Sequence, residues 1–189
     1  GERNPELLDI LENLWRSRIT NNKNDVQAYI NLGTVFQMKG DLISAKNQYL
    51  KALSLEPNDR TALLNLASLY TAQNMTTMAI AQYDKLLAKN PNDLEIIRYK
   101  AATYEGKKDY KNALTQYKAI LAIKPDDNDA KNAIADIVTS KFSPEEKYNY
   151  MMVEANSNPN NYDLQYAYAY EMHKQKRYDE AITYYKRAM

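Results

Sequence analysis

Residues 26–59 read VQAYINLGTVFQMKGDLISAKNQYLKALSLEPND, and residues 60–93 read RTALLNLASLYTAQNMTTMAIAQYDKLLAKNPND. Laid one above the other, they share a small residue, an aromatic, an alanine, a tyrosine and a closing Pro-Asn-Asp at the same places. The closing proline recurs as Pro57, Pro91, Pro125 and Pro159, a constant spacing of 34. With that proline as position 32, the repeats are 26–59, 60–93, 94–127, 128–161 and a shorter 162–189. Position 8 is small throughout: Gly33, Ala67, Ala101, Ala135, Ala169. Position 20 is Ala45, Ala79, Ala113, Lys147, Ala181, and position 24 is Tyr49, Tyr83, Tyr117, Met151, Tyr185. Position 11 is Phe36, Tyr70, Tyr104, Val138, Met172. Self-similarity of this length marks a stacked-repeat architecture.

Inside one repeat the apolar spacing is helical. Tyr29, Leu32, Gly33 and Phe36 lie at i, i+3, i+4 and i+7, so they share one face. A second such face carries Ala45, Tyr49, Ala52 and Leu53. Lys39-Gly40-Asp41 breaks the chain between them, and Glu56-Pro57-Asn58-Asp59 ends the second helix and caps the next. Each repeat is therefore expected to be two short antiparallel helices, and the fold to be all-α. Small residues at positions 8 and 20 allow close helix approach, with the rings at 11 and 24 filling the flanks. That placement accounts for much of the tyrosine excess, 17 Tyr against 2 Phe and 1 Trp.

These residues resemble the tetratricopeptide repeat (TPR) family. The match runs through Asn31-Leu32-Gly33, Phe36, Gly40-Asp41, Ala45, Tyr49, Ala52-Leu53 and Pro57, and again through Arg177-Tyr178-Asp179-Glu180-Ala181-Ile182, Tyr184-Tyr185 and Ala188. The resemblance implies an α-solenoid wound as a right-handed superhelix, whose concave groove binds peptides or partner proteins. The expected organisation is one solenoid domain: an N-terminal helix or half-repeat in 1–25, then 26–59, 60–93, 94–127, a degenerate 128–161 and a truncated 162–189. Leu11, Trp15 and Ile19 place a preceding second helix over residues 5–20, with Trp15 in the position-24 column as an end cap. At the other end the sequence stops at Met189 inside a helix, which leaves an edge for further chain or for another copy.

Repeat 128–161 departs from the pattern at Lys131, Lys147 and Glu154. Ser143-Pro144-Glu145-Glu146 still starts a helix well. Its apolar residues Tyr148, Met151, Met152 and Ala155 lie one residue out of phase, which predicts a rotated second helix.

Composition excludes several functions. The 189 residues hold 25 Lys and Arg against 24 Asp and Glu, a net charge of +1, which makes no electrostatic case for nucleic acid or anionic lipid. No apolar run is long enough for a membrane span. With no Cys, disulfides, thiolate metal sites and a Cys nucleophile are ruled out. There is one His and no glycine-rich phosphate loop, so no cofactor, metal or catalytic residue is expected. Heavy Asn, Lys and Tyr use fits a bacterial origin, with cytoplasm and periplasm equally open.

What remains is a stripe at positions 2, 5, 9 and 12, away from the apolar seam, to which the resemblance adds position 13. The resemblance implies that it lines the groove. The residues are Gln27, Ile30, Thr34, Gln37 and Met38, then Thr61, Leu64, Ser68 and Thr71; Glu95, Arg98 and Glu105; Asp129, Asn132 and Asp136; and Asp163, Tyr166, Tyr170, His173 and Lys174. Ile30 and Leu64 are expected as exposed apolar contacts, and Tyr166 and Tyr170 as an aromatic ledge. Family members that grip a chaperone's C-terminal carboxylate use Lys at 5, Asn at 9, Asn at 6, Lys at 2 and Arg at 6. Here those places hold Ile30, Thr34, Asn65, Glu95 and Tyr99, so the clamp is absent. The expected function is a noncatalytic scaffold for a protein or peptide partner. Two alternatives stand beside it: self-assembly through the 162–189 edge, and service as the repeat portion of a larger bacterial enzyme or assembly factor.

Overall fold

The computed structural model describes residues 4–189, and all regular structure among them is helical. Two compact units divide the chain, one ending at Asp127 and one spanning Asn128–Met189. The first holds α1 (Pro5–Asn21), α2 (Val26–Lys39), α3 (Leu42–Leu55), α4 (Arg60–Ala72), α5 (Thr76–Lys89), α6 (Leu94–Gly106) and α7 (Tyr110–Ile123). The second holds α8 (Asn128–Asp136), a π-helical turn Ile137–Lys141, α9 (Pro144–Ser157), α10 (Tyr162–Lys174) and α11 (Tyr178–Arg187). Within each unit, neighbours in sequence pack on one another, which makes the fold a solenoid of helix pairs.

Two sequence columns set the helix boundaries. In four of the five repeats the residue ahead of the first helix is Asp25, Asp59, Asp93 or Asn161, whose side chain accepts from the backbone N–H of Ala28, Ala62, Ile96 or Leu164 respectively. Each such cap is worth about 1 kcal/mol. The turn between paired helices is made at position 15, where Gly40, Asn74, Lys108 and Lys176 take φ of 85°, 57°, 60° and 61°. That left-handed residue sends the next N–H back to a carbonyl five residues earlier: Asp41 to Phe36 at 2.9 Å, Met75 to Tyr70 at 2.8 Å, Asp109 to Tyr104 at 2.9 Å and Arg177 to Met172 at 3.0 Å.

The core follows the small-against-large rule. Ala67, Ala101 and Ala169 at position 8, and Ala45, Ala79 and Ala113 at position 20, are fully buried. Gly33 takes the rule furthest: a Cβ there would stand 2.5 Å from Cε1 of Tyr49, so the ring lies directly on the α2 backbone. α1 packs on α2, with Leu8 buried and Trp15 and Ile19 against the main cluster of the first unit.

Repeat 128–161 breaks at its turn. Position 15 is Phe142, which stays extended at φ −78°, ψ 141°. A bulky aromatic disfavours φ > 0; the ring instead packs edge-on against Tyr150, centroids 6.1 Å apart. Ile137–Lys141 winds as a π-helix in place of the left-handed turn, and the Phe142 N–H donates to the Ile137 carbonyl at 3.0 Å. As a result Ala130 and Ile137 are buried, whereas Ala135, expected in the core with the rest of column 8, is exposed. In α9 the buried residue is Ala155, flanked by Tyr148, Met151 and Met152, so the packed face begins one residue later than in the other repeats.

Candidate functional site

The helix faces left over by this packing fall in the first helix of each repeat, and in the first unit they enclose a cleft of about 600 Å³ between α4 and α6. Leu64, Asn65, Ser68, Thr71 and Ala72 form its α4 wall, and Tyr99, Ala102 and Thr103 its α6 wall. Tyr83, from α5, completes the lining although it is only 4% exposed. Ser68, Thr71, Ala72 and Ala102 are all small, which leaves the space open. The Tyr83 and Tyr99 rings stack at 6.2 Å and 21°, and the Thr71 and Thr103 hydroxyls lie 3.4 Å apart.

No lining residue is ionised at neutral pH. The charges around the rim are paired within the chain: Arg60 donates to Asp93 at 2.7 Å and to Glu95 at 2.5 Å, and Arg98 is bound to the buried Asp127. Tyr99 donates to Glu95 at 3.1 Å, and that bond holds its hydroxyl pKa above the usual tyrosine value. Among the sequence candidates, Leu64, Ser68 and Thr71 line the cleft, Leu64 half-buried against the core rather than exposed, while Glu95 and Arg98 are occupied in these ion pairs.

On α2, Gln27, Thr34 and Met38 are exposed as expected. Ile30 is not. It is only 1% exposed, packed with Tyr29, Ala52 and Ala62 and flanked by Ile19 and Leu53. Two alanine methyls leave room for a branched side chain at position 5, and burying it is worth about 2 kcal/mol. Ile30 is a core residue.

In the second unit, Asp129, Asn132 and Asp136 are exposed on α8. Asp136 pairs with Lys141 at 3.3 Å, and hydrogen bonds from Ser140 and Lys141 hold its pKa below the ordinary carboxylate value. Tyr166, Tyr170 and His173 are exposed on α10. The expected ledge is built differently: Tyr166 pairs with Tyr185 of α11 at 5.4 Å, His173 stands edge-on to Tyr178 at 5.5 Å, and Lys174 lies over Tyr170 at 5.7 Å.

Sequence reasoning missed Tyr83 as a cleft residue, because position 24 reads as core. The signal was available in the residue type. A hydroxyl at a recurrent core position has to emerge somewhere, and here it emerges among position-12 side chains. Tyr49 donates to Gln37 at 2.9 Å and Tyr117 to Glu105 at 2.5 Å. Burial and, at Tyr117, the Glu105 carboxylate push both phenol pKa values up.

The helix pairs, their 34-residue period and the exposed first-helix faces coincide with a known repeat. The tetratricopeptide repeat family model matches residues 30–93 and again 76–128. The chain belongs to the tetratricopeptide repeat family. A TPR protein from Parabacteroides merdae superposes with a TM-score of 0.62 at 23% identity, over 92% of this chain and 69% of that one. YrrB, described as a TPR protein with an unusual peptide-binding site, superposes at 0.55 with 18% identity, over 92% and 90%. The first TPR of Spaghetti (RPAP3), bound to an HSP90 peptide SRMEEVD, superposes at 0.51 with 19% identity, over 62% and 96%. No curated protein sequence matches the chain. Among the described residues no helix is long and apolar enough to cross a membrane, and none of the His, Asp and Glu side chains cluster as a metal site.

Proposed function

We propose that this TPR chain is a noncatalytic scaffold that seats an extended segment of a partner protein against α4 and α6. The observation that carries the reading is the cleft itself. It lies along α4 and α6 with the core residue Tyr83 at its lining, it is open, and its lining is uncharged. An uncharged wall of methyls, hydroxyls and two tyrosine rings favours a segment that buries neutral side chains and shares backbone hydrogen bonds. It does not favour a C-terminal carboxylate, since Arg60 and Arg98 are both engaged by acids of this chain. YrrB and RPAP3 show that this helix-pair architecture carries peptide sites in other proteins.

The reading is tested by isothermal titration of a peptide selected against the wild-type protein. Ser68→Arg and Ala102→Arg place a long charged side chain in the cleft and are expected to abolish binding, with the far-UV dichroism unchanged. Affinity that survives both substitutions overturns the assignment.

A second reading rests on α11, where Tyr178 and Ile182 lie one turn apart and both remain about half exposed. On that reading the outer face of α11 stacks on another copy. Analytical ultracentrifugation decides it: concentration-dependent association abolished by Ile182→Glu supports it, and a monomer at all concentrations removes it.

A further inference from the structure

The repeats act as controls for one another, and column 12 differs among them in a way that helix pairing does not require. In α2 the position holds Gln37, whose Oε1 accepts from the Tyr49 hydroxyl at 2.9 Å. In α6 it holds Glu105, whose Oε2 accepts from the Tyr117 hydroxyl at 2.5 Å. In α4 it holds Thr71, which is too short to reach the corresponding tyrosine. The Thr71 hydroxyl donates to the Ala67 carbonyl at 3.0 Å instead. Tyr83 lines the cleft, and its hydroxyl has no hydrogen-bond partner among the described residues. The cleft lies in the repeat whose position-12 residue leaves the position-24 tyrosine without the acceptor that its counterparts have in α2 and α6.

We propose that the cleft receives a carboxamide side chain, Gln or Asn, from the bound partner segment, its carbonyl oxygen accepting from the Tyr83 hydroxyl as Gln37 accepts from Tyr49. The ligand thus supplies the position-12 side chain that this repeat lacks. This deepens the groove reading above and rests on it. The amide is preferred to a carboxylate for an electrostatic reason. Glu95 already accepts from Tyr99 at the cleft edge, and both nearby guanidinium groups are engaged, so a buried carboxylate there gains no free cation. A carboxamide carries no such penalty, and Asn65 on the same wall offers an oxygen to its N–H. An aliphatic side chain of similar length fills the space but leaves the Tyr83 donor unmet.

The test pans a phage-displayed library of random extended peptides against the wild-type protein, then measures the selected peptides on Ser68→Arg, Thr71→Gln and Tyr83→Phe. With the wild type, Gln or Asn is expected at one fixed peptide position, and its replacement by Leu weakens binding about fivefold, the effect of one neutral hydrogen bond. Tyr83→Phe removes that fivefold discrimination and leaves the Leu peptide's affinity unchanged. Thr71→Gln places the missing side chain within the chain, so the peptide is lost while the thermal midpoint holds or rises. Two results overturn the claims separately. Peptides that are lost on Ser68→Arg but show no amide preference overturn the carboxamide assignment and leave the groove standing. A library that yields no binder, or binders indifferent to Ser68→Arg and Thr71→Gln, overturns the groove itself.

Discussion

Replacing Gly33 with alanine adds a Cβ 2.5 Å from Cε1 and 2.7 Å from Cδ1 of Tyr49. The ring has nowhere to retreat. It is fully buried, and its hydroxyl is fixed by Gln37 at 2.9 Å with Thr34 3.4 Å away. Overpacking of this kind costs about 1–3 kcal/mol. Removing a glycine from a helix interior returns about 0.5–1 kcal/mol, so Gly33→Ala is expected to destabilise by about 1 kcal/mol net. Gly106 is the control, since it ends α6 with open space around the added methyl; there alanine is neutral or stabilising by up to about 0.5–1 kcal/mol. Urea unfolding followed by dichroism at constant m-value resolves the difference. A second background isolates the cause. Once Tyr49→Leu removes the ring, Gly33→Ala should no longer cost stability, and only the helix-propensity gain remains. An equal penalty with and without the Tyr49 ring, or a stabilising Gly33→Ala in the wild type, refutes the account of how this repeat closes.

Ala113→Leu inserts a branched side chain at a fully buried helix crossing and should cost about 1–3 kcal/mol; a thermal melt without loss contradicts the register. Asp59→Ala removes the side chain that accepts from the Ala62 N–H at 2.7 Å, with an expected loss of about 1 kcal/mol in urea unfolding. Stability should also fall in alkali. Burial raises the pKa of Tyr49 and Tyr117 and takes Tyr150 to about 12, so the folded state holds these protons more tightly than the unfolded chain. Their contribution is complete below pH about 10, the unfolded tyrosine value, and is lost as pH rises through the folded values. Unfolding midpoints measured from pH 8 to 12 should show that decline, flattened by Tyr117→Phe and Tyr150→Phe; a flat wild-type profile contradicts the burial of these hydroxyls.

The period, the helix pairs and the core columns were legible because each rests on local rules applied several times over. A small residue facing a ring, a carboxylate ahead of a helix and a proline in the connecting turn each give the same answer in successive repeats. The failures fall where one residue decides. Ile30 shares the groove stripe by helical geometry, yet two opposing alanines, Ala52 and Ala62, leave it a cavity that no single-helix projection shows. Ala135 fits its column in sequence and is exposed, because Phe142 denies that repeat the left-handed turn its neighbours use. The turn column Gly40, Asn74, Lys108, Phe142, Lys176 held that information, since an aromatic is the residue type least suited to φ > 0 among the five.

On the proposed reading, the same contrast places specificity in column 12. Columns 8, 20 and 24 are constrained by packing, so variation there damages the scaffold. Column 12 escapes that constraint, and Gln37, Thr71, Glu105 and His173 occupy it without altering how their helices pair. Yet column 12 is read by the hydroxyl of a core residue: a tyrosine at position 24 carries the interior's geometry out to the groove as one aimed donor. In α2 and α6 the position-12 side chain takes that donor within the chain; in α4 Thr71 does not, and on the proposed reading the donor is left for a ligand. Exchanging Gln37 and Thr71 should therefore move the open donor from Tyr83 to Tyr49 and leave the fold intact. Peptide contacts followed by amide chemical-shift changes should leave Thr103 and appear around Thr34. Perturbations that stay at Thr103 after the exchange would show that the α4–α6 site depends on something other than this single column.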